Sequence, residues 1–465
     1  MKTYGLGAPR RSVRRAATHS GTRPAAAHSA YQATVPATAQ PPSPPTTPEA
    51  PRTSTTPGTA AAGADLHERI VEAMISELGP RLFRSLRRSD QRARGEQYLR
   101  GLLYAEGRKS IRNLAGAVGG AGTEQSLHHF ITESTWHWAP MRAALTRHVE
   151  ELVQPKAWVI QSMPIQKAGE QSVGIDRRFV PELGHSVHGQ HSYGLWMASE
   201  AMSAPVNWRL YLSPSWLQDQ EKRRRADIPD WVEEESPGEC AAATALDVLD
   251  WEVERRPVIL PSRDFVSSAV LGRFHAAGVP VLARLRAMDQ LRVADTAMPG
   301  YGAGPLPVAD MLQHVRGLRR PVEWLDGSSG TPVVRTSLVA GIRVELPQTR
   351  RSVAGPQQWL LMGEWTNRNG PPSELWLTDL TTTSLDGLTR LAKLTRRTAL
   401  DSADTGELAG LRDFAGRSFQ GWHRHLTLAS AAHTVAIGAG HAVSRSRAAA
   451  STSTPDEDRQ QRRTG

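Results

Sequence analysis

The sequence contains very little cysteine: Cys240 is the only one in 465 residues. One cysteine excludes an intrachain disulfide and any zinc site built from several thiolates. Because disulfides stabilise proteins mainly in oxidising compartments, we expect a cytoplasmic protein.

Long hydrophobic runs are also missing. The most apolar stretch, residues 426–443, is interrupted by His433 and His441, which is typical of a buried core helix rather than a membrane span. The N-terminal region contains arginines but no apolar segment of the kind found in secretory signals. We therefore expect neither membrane association nor secretion.

Acidic residues are fewer than basic ones, with 46 Asp and Glu against 56 Lys and Arg, for a formal net charge of +10. This excess favours a polyanionic partner such as nucleic acid, or an anionic membrane surface. A solvated surface that is merely basic has the same composition, so charge alone does not decide between them.

Both ends of the chain lack large apolar residues. Residues 1–63 are rich in Ala, Pro, Ser and Thr, and residues 444–465 are similar. Such segments cannot bury enough apolar surface to offset their ordering entropy, so we predict disorder in both. The arginines of the first tail either contact DNA phosphates without sequence preference or do nothing; they are Arg10, Arg11, Arg14 and Arg15.

Residues 64–152 show helical periodicity and are predicted to form a helical DNA-binding region. Ser110 is a predicted N-cap of a helix over 111–118, and Thr123 is a predicted N-cap of the next helix, over 124–131. A glycine turn between two short helices is typical of a helix-turn-helix, although ordinary helical hairpins look the same. On the second helix, three polar residues are predicted to reach base edges: Gln125, His128 and His129.

Residues 153–443 alternate between strand and helix patterns. The predicted strands begin with 157–163, 172–180 and 192–200, and a helix, a strand, a helix and a strand follow up to residue 285. This order predicts a ribonuclease H-like α/β fold, in which helices flank both faces of a mixed sheet. A β-rich insertion is predicted over about residues 287–380, followed by a long helical segment.

Several bulky motifs occur along the chain in a fixed order, and together they resemble the DDE transposases of the insertion-sequence 701 type. The segment AWVIQSMPIQKAG at 157–169 resembles the family's first catalytic strand, and PVNWRLYL at 205–212 resembles P-V-D-W-R-L-Y-L. QSLHHF at 125–130 and GRSFQGWHRH at 416–425 also match, so the resemblance covers roughly residues 80–440. It implies recognition of insertion-sequence ends in double-stranded DNA, Mg²⁺- or Mn²⁺-dependent strand cleavage and transfer, and a nucleoid-associated homodimer.

Three family positions carry the carboxylates that bind the metal ions. By the resemblance, the first falls on Gln161, the second on Ser262 and the third on Asp404. Mg²⁺ prefers anionic oxygen ligands, whereas an amide and a hydroxyl are neutral, and Arg263 adds a positive charge nearby. The sequence therefore predicts a DNA-binding transposase relative that has lost cleavage, with a repurposed DNA-binding regulator or a non-functional remnant as alternatives. Mg²⁺ or Mn²⁺ is expected as a cofactor only if cleavage is retained.

An active nuclease is the alternative hypothesis. If strands 157–163 and 172–180 form a hairpin, Asp176 lies nearly opposite Gln161, and Asp264 lies two residues beyond Ser262. Together with Asp404, these carboxylates would form a displaced metal site. Basic residues predicted to contact phosphates in either case are Lys167, Arg223, Arg224 and Arg225.

Overall fold

The computed structural model describes residues 57–452, except 182, 264, 328–332 and 348–357. The predicted disordered tails therefore lie largely outside the described residues. At both boundaries the helices extend further than expected, because the first begins at Pro57 and the last ends at Thr452.

Five helices form the region before the sheet. They are α1 (Pro57–Leu82), α2 (Ser89–Tyr104), α3 (Ile111–Val118), α4 (Thr123–Thr132) and α5 (Ala139–Val153). Helices α2, α3 and α4 pack against one another, and a short glycine-rich turn joins α3 to α4.

The two predicted helix caps have different outcomes. The side chain of Ser110 accepts a hydrogen bond from the Asn113 N–H at 3.2 Å, so the predicted N-cap of α3 is confirmed. The prediction for Thr123 is wrong. Gly122 precedes the helix with a φ of 74°, Thr123 is the first helical residue, and its hydroxyl donates to the Gly119 carbonyl at 2.7 Å.

The first half of the sheet contains six strands. They are β1 (Ala157–Gln166), β2 (Asp176–Val180), β3 (His185–Ala198), β4 (Ser203–Leu210), β5 (Val258–Leu260) and β6 (Val281–Arg284). β1 pairs antiparallel with β3 on one side and parallel with β5 on the other, and β5 pairs parallel with β6. Four helices connect these strands: α6 (Pro214–Leu217), α7 (Gln220–Arg225), α8 (Pro237–Leu246) and α9 (Ser268–Ala276).

The predicted hairpin between the first two strands is wrong. β3 lies between β1 and β2, so Asp176 is opposite Gly189, which is in turn opposite Gln166. The physical reason is length: β3 has 14 residues and pairs with all ten residues of β1, whereas β2 has only five. More ladder hydrogen bonds form with the longer partner.

The insertion continues the same sheet. It contains β7 (Gln290–Val293), β8 (Leu306–Pro307), α10 (Val308–His314), β9 (Arg320–Asp326), β10 (Val333–Glu345), β11 (Trp359–Trp365) and β12 (Glu374–Thr378). Because β12 pairs antiparallel with β6, the described strands form one mixed twelve-stranded sheet. The sequence pattern predicts two strands, 332–338 and 341–346, where the structure has the single strand β10, and it does not predict β9.

The chain ends in α11 (Leu385–Ala403), α12 (Thr405–Leu408) and α13 (Phe419–Thr452). Residues Phe419–Ser446 of α13 are long and apolar enough to cross a membrane by composition alone. However, 72% of their most apolar window is buried inside the protein, against neighbours that include α1, α2 and β4. This burial is the expected environment of a core helix.

Candidate functional site

The sequence-predicted site residues Gln161 and Ser262 lie on neighbouring strands. In the parallel pair β1–β5, Trp158 is opposite Val258 and Val159 is opposite Ile259. Continuing that register brings Gln161 beside the residues that immediately follow β5, where Ser262 lies. The two positions therefore share the carboxyl edge of parallel strands, which is where α/β proteins commonly bind ligands.

Gln161 lies in a tightly packed part of this edge. It is opposite Gly194 of β3, and a Cβ at Gly194 would lie only 2.6 Å from the Trp208 ring. The Gln161 Oε1 atom is buried and accepts no hydrogen bond from any described residue. A buried acceptor left unpaired costs about 1–3 kcal/mol, which makes this amide a weakly stabilised group.

Ser262 is 7% exposed, and its carbonyl accepts a hydrogen bond from the Phe265 N–H at 3.3 Å. The next residue, Arg263, is exposed. Asp264, the predicted displaced ligand, lies outside the described residues. At the two predicted ligand positions, the side-chain oxygens therefore belong to the amide of Gln161 and the hydroxyl of Ser262, and both groups are neutral.

Asp404 lies elsewhere. Its neighbour Asp401 is buried, accepts from the Ser203 N–H at 2.7 Å and from its hydroxyl at 2.8 Å, and is paired with Arg397. Ser203 of β4 is opposite Ala198 of β3, and Ala198 is opposite Ala157, the first residue of β1. Asp401 therefore binds at the strand position that corresponds to the start of β1.

Gln161 is four residues further along β1, about 13 Å away at the usual rise of a strand. Asp404 is exposed at the carboxyl end of α11, one helical turn beyond Asp401. The predicted third ligand is therefore not brought to the edge that Gln161 and Ser262 share.

Asp176 has hydrogen-bond partners of its own. Its carboxylate accepts from the hydroxyls of Ser213 and Ser215 and from the Arg177 N–H. Burial alone would raise the pKa of Asp176, but these hydrogen bonds, with Lys222 nearby, hold its pKa below its usual value. Asp176 is thus an ionised group held by the start of α6 and by its neighbour Arg177, with β3 between it and β1.

A divalent cation does not fit the residues that the structure describes. Among them, no three His, Cys, Asp or Glu side chains are grouped closely enough to hold a metal ion. Mg²⁺ and Mn²⁺ sites in proteins rely on carboxylate oxygens, which the Gln161–Ser262 edge does not supply in its described part.

The predicted base-reading residues form an exposed surface on α4. Gln125, His128 and His129 are all exposed. Gln125 and His129 line a groove of about 300 Å³ together with Arg94 of α2 and Arg88, which immediately precedes α2. We call this the α2–α4 groove. Local sequence does not link α2 to α4, because their contact depends on the tertiary packing of three helices.

Lys167 lies in a second groove, of about 460 Å³, at the end of β1, together with Arg108 and Arg412. Its ammonium donates to the Phe414 carbonyl at 2.7 Å. Burial lowers the pKa of Lys167, Arg108 lowers it further, and Asp413 opposes them. Three segments distant in sequence supply this β1-end groove, so periodicity and spacing could not have revealed it.

The basic run on α7 divides into two roles. Arg223 is half-buried and donates to the carbonyls of Pro229 at 2.7 Å and Val232 at 3.3 Å, so it holds a loop. Arg224 and Arg225 are exposed, and Arg224 pairs with Glu221. Arg224 and Arg225 are therefore accessible to solvent, whereas the guanidinium of Arg223 is hydrogen-bonded to the loop.

A known protein family matches a large part of the chain. Residues 81–330, more than half of the chain, match the family described as DDE superfamily endonuclease. The match includes both Gln161 and Ser262 and ends before Asp404. No curated protein matches the chain significantly. The chain belongs to the DDE superfamily of endonucleases.

Proposed function

We propose that this protein is a transposase relative of the insertion-sequence 701 type that binds DNA but has lost strand cleavage. The observation that carries the proposal is the chemistry of the carboxyl edge of β1 and β5. Gln161 on β1 and Ser262 just beyond β5 lie on neighbouring parallel strands, at the two positions where the resembled family has metal-binding aspartates.

The order of the strands supports a ribonuclease H-like domain. β4, β3 and β1 are antiparallel neighbours, and β1, β5 and β6 are parallel neighbours in the same sheet. α8 precedes β5, and α9 crosses from β5 to β6. In this arrangement, the first strand is central and its carboxyl end is the natural position for a catalytic group.

The electrostatics argue against two bound cations. Nucleases of this kind use divalent ions to activate the attacking oxygen and to stabilise the leaving oxygen, and carboxylates offset much of the ions' charge. Replacing anionic ligands by Gln161 and Ser262 removes that compensation. Loss of ligand or supporting groups typically lowers metal affinity about 10–100-fold per group.

DNA binding is supported by two features that do not depend on metal ions. The formal net charge is +10. The α2–α4 groove combines the exposed Arg88 and the half-buried Arg94 with amide and imidazole side chains, which suit phosphates and base edges respectively. Binding of paired insertion-sequence ends by a homodimer is part of this proposal.

The test combines a gel-shift assay and a nicking assay on duplexes that carry candidate terminal inverted repeats, in Mg²⁺ and in Mn²⁺. We expect sequence-dependent binding that weakens steeply with salt, and no nicking. Replacing Gln125 and His129 by Ala should lower specific affinity by about 1–3 kcal/mol for each base that these side chains recognise. Replacing Gln313 and His314, an exposed pair of the same types on α10, is the matched control and should have no effect.

Two other outcomes separate the alternatives. Tight binding to sites unrelated to inverted repeats, again without nicking, would favour a repurposed regulator. Metal-dependent nicking that is abolished by Asp404→Asn or Asp176→Asn, but not by Asp230→Asn at an exposed loop position, would contradict the proposal. It would favour the active nuclease with displaced carboxylates.

A further inference from the structure

A basic pocket lies where the end of α1 meets α5. It has a volume of about 450 Å³ and is lined by Arg81, Arg84, Ser85, Arg147, His148 and Glu151, among others. On α5, residues 144, 147, 148 and 151 follow helical spacing, so one face of that helix forms the wall. We refer to this cavity as the α1–α5 pocket.

Two of its three arginines have no carboxylate partner. Arg84 makes no hydrogen bond or ion pair with any described residue, and Arg147 makes only a long hydrogen bond, 3.4 Å, to the Trp251 carbonyl. Arg81 is paired with Glu151 at 2.8 Å. The pocket therefore has two guanidinium groups whose charge is not neutralised by an ion pair within the described residues.

His148 is the second observation that points to a ligand. Its side chain is 6% exposed, yet neither ring nitrogen has a hydrogen-bond partner among the described residues. The nearest carboxylate oxygen, Glu77 Oε1, is 4.0 Å from Nδ1, too far for a hydrogen bond. Burial lowers the pKa of His148, so at neutral pH the ring offers one N–H donor.

We propose that the α1–α5 pocket binds a phosphate group, with Arg84 and Arg147 as the charged donors and His148 and Ser85 as neutral donors. Guanidinium groups match the geometry of phosphate oxygens and form the stronger, charge-assisted hydrogen bonds. A phosphate would also satisfy the buried imidazole N–H, which has no other partner among the described residues.

This pocket is separate from the Gln161–Ser262 edge. Arg147 reaches the Trp251 carbonyl, and Glu150 accepts from the Glu254 N–H at 3.1 Å. Both partners belong to the segment that leads into β5, so α5 packs near the amino end of that strand. A phosphate here would be held at the opposite end of the strand from the candidate centre.

The test is a calorimetric titration of the full chain with inorganic phosphate. Chloride keeps the ionic strength constant. The double variant Arg84→Gln/Arg147→Gln should bind phosphate at least about tenfold more weakly, since it loses both charge-assisted donors. Arg273→Gln is the matched control, because Arg273 is also exposed with a single 3.4 Å hydrogen bond to a carbonyl, that of Glu239. It should leave affinity unchanged.

A third variant distinguishes loss of the site from loss of the fold. Glu151→Gln removes the negative charge at the rim and releases Arg81, so phosphate should bind about two- to fivefold more tightly. Misfolding cannot produce a gain. Equal phosphate affinity in the double variant, the control and the wild type would overturn the proposal.

A second titration, with a short duplex lacking inverted repeats, identifies the source of the phosphate. If duplex affinity falls in the double variant and not in Arg273→Gln, the pocket holds a DNA backbone phosphate. If only inorganic phosphate binding falls, the site still stands and its ligand is a small phosphorylated molecule. The inorganic phosphate result does not depend on the proposed DNA function.

Discussion

At the scale of single residues, the interior contains a cation whose hydrogen-bond partners are all neutral. Arg142 of α5 is 1% exposed and donates to the Thr427 hydroxyl, the Asn207 amide oxygen, the Trp208 carbonyl and His423, at 2.8 to 3.1 Å. Burial lowers the pKa of Arg142 to about 9. Asn207 stands where the resembled motif has an aspartate, so this arginine also lacks a carboxylate that the motif would supply.

Arg142→Met should destabilise the protein by about 2–4 kcal/mol, because several buried acceptors lose their donor at once. The measurement is the free energy of unfolding in urea. Arg147→Met on the same helix is the control: Arg147 is exposed, and we expect a change within about 0.5 kcal/mol. Equal effects of the two substitutions would show that the buried network contributes little.

The site residues on the strands could be predicted from sequence, whereas their surroundings could not. The apolar runs before Gln161 and Ser262 both predict strands, and the structure pairs those strands in parallel. β5 ends at Leu260, just before Ser262, whereas β1 continues past Gln161 to Gln166. The unpaired oxygen of Gln161, the hydrogen bonds of Asp176 and the position of Asp404 depend on tertiary contacts. Local sequence does not encode those contacts.

At the scale of elements, α13 carries buried histidines that hold it to the rest of the protein. His425 accepts from the Tyr98 hydroxyl through Nδ1 at 2.8 Å and donates from Nε2 to the Gly410 carbonyl at 2.8 Å. Both hydrogen bonds form when the imidazole is neutral and its proton is on Nε2. His433 contacts the Ser203 carbonyl at 2.9 Å. Burial lowers the pKa of both imidazoles, that of His425 to about 4.

The protein should lose stability in mild acid because of His425. Its folded pKa, about 4, is below the ordinary value of 6.5, so the unfolded chain binds more protons between these two values. The contribution of neutral His425 to the free energy of unfolding is fully present above pH 6.5, and it is lost as the pH falls towards 4. The loss is about 2–3 kcal/mol at pH 4.5, since one pKa unit corresponds to about 1.4 kcal/mol.

His425→Gln isolates this contribution, because glutamine can donate and accept at the same positions but does not titrate. The wild type should lose about 2–3 kcal/mol of unfolding free energy relative to the variant as the pH is lowered from 7.5 to 4.5. A difference that stays constant with pH would contradict the assignment. His423 and His433 remain in both proteins, so their own titration cancels in the comparison.

Elements with strong local patterns could be predicted, and those defined by pairing could not. α3 has its predicted bounds, since a serine cap and a glycine turn frame it. A tryptophan-bounded apolar run likewise predicts a strand over 359–365, and these are the bounds of β11. β9 was missed although its residues alternate between exposed and buried. The pairing of β3 with β1 depends on strand length and long-range contacts.

At the scale of the whole molecule, one sheet joins two regions that the sequence presents as a domain and an insertion. β6 is parallel to β5 on one side and antiparallel to β12 on the other. α11 then connects the insertion to β4: Lys393 pairs with the buried Glu364 of β11 at 2.6 Å, and Asp401 accepts from Ser203. The Gln161–Ser262 edge therefore belongs to a continuous framework of paired strands and side-chain contacts.

That framework makes the missing carboxylates a testable explanation for the proposed loss of cleavage. Gln161→Asp/Ser262→Asp introduces one carboxylate at a half-buried position and one at a buried position, so without metal this variant should be less stable than its isosteric control Gln161→Asn/Ser262→Asn. Mn²⁺ should raise the melting temperature of the aspartate variant selectively, since saturation at about 100 times the dissociation constant adds about 2.7 kcal/mol. If Mn²⁺ affects both variants and the wild type alike, the edge does not have the geometry of a metal site. Loss of cleavage would then need an explanation other than the exchange of two side chains.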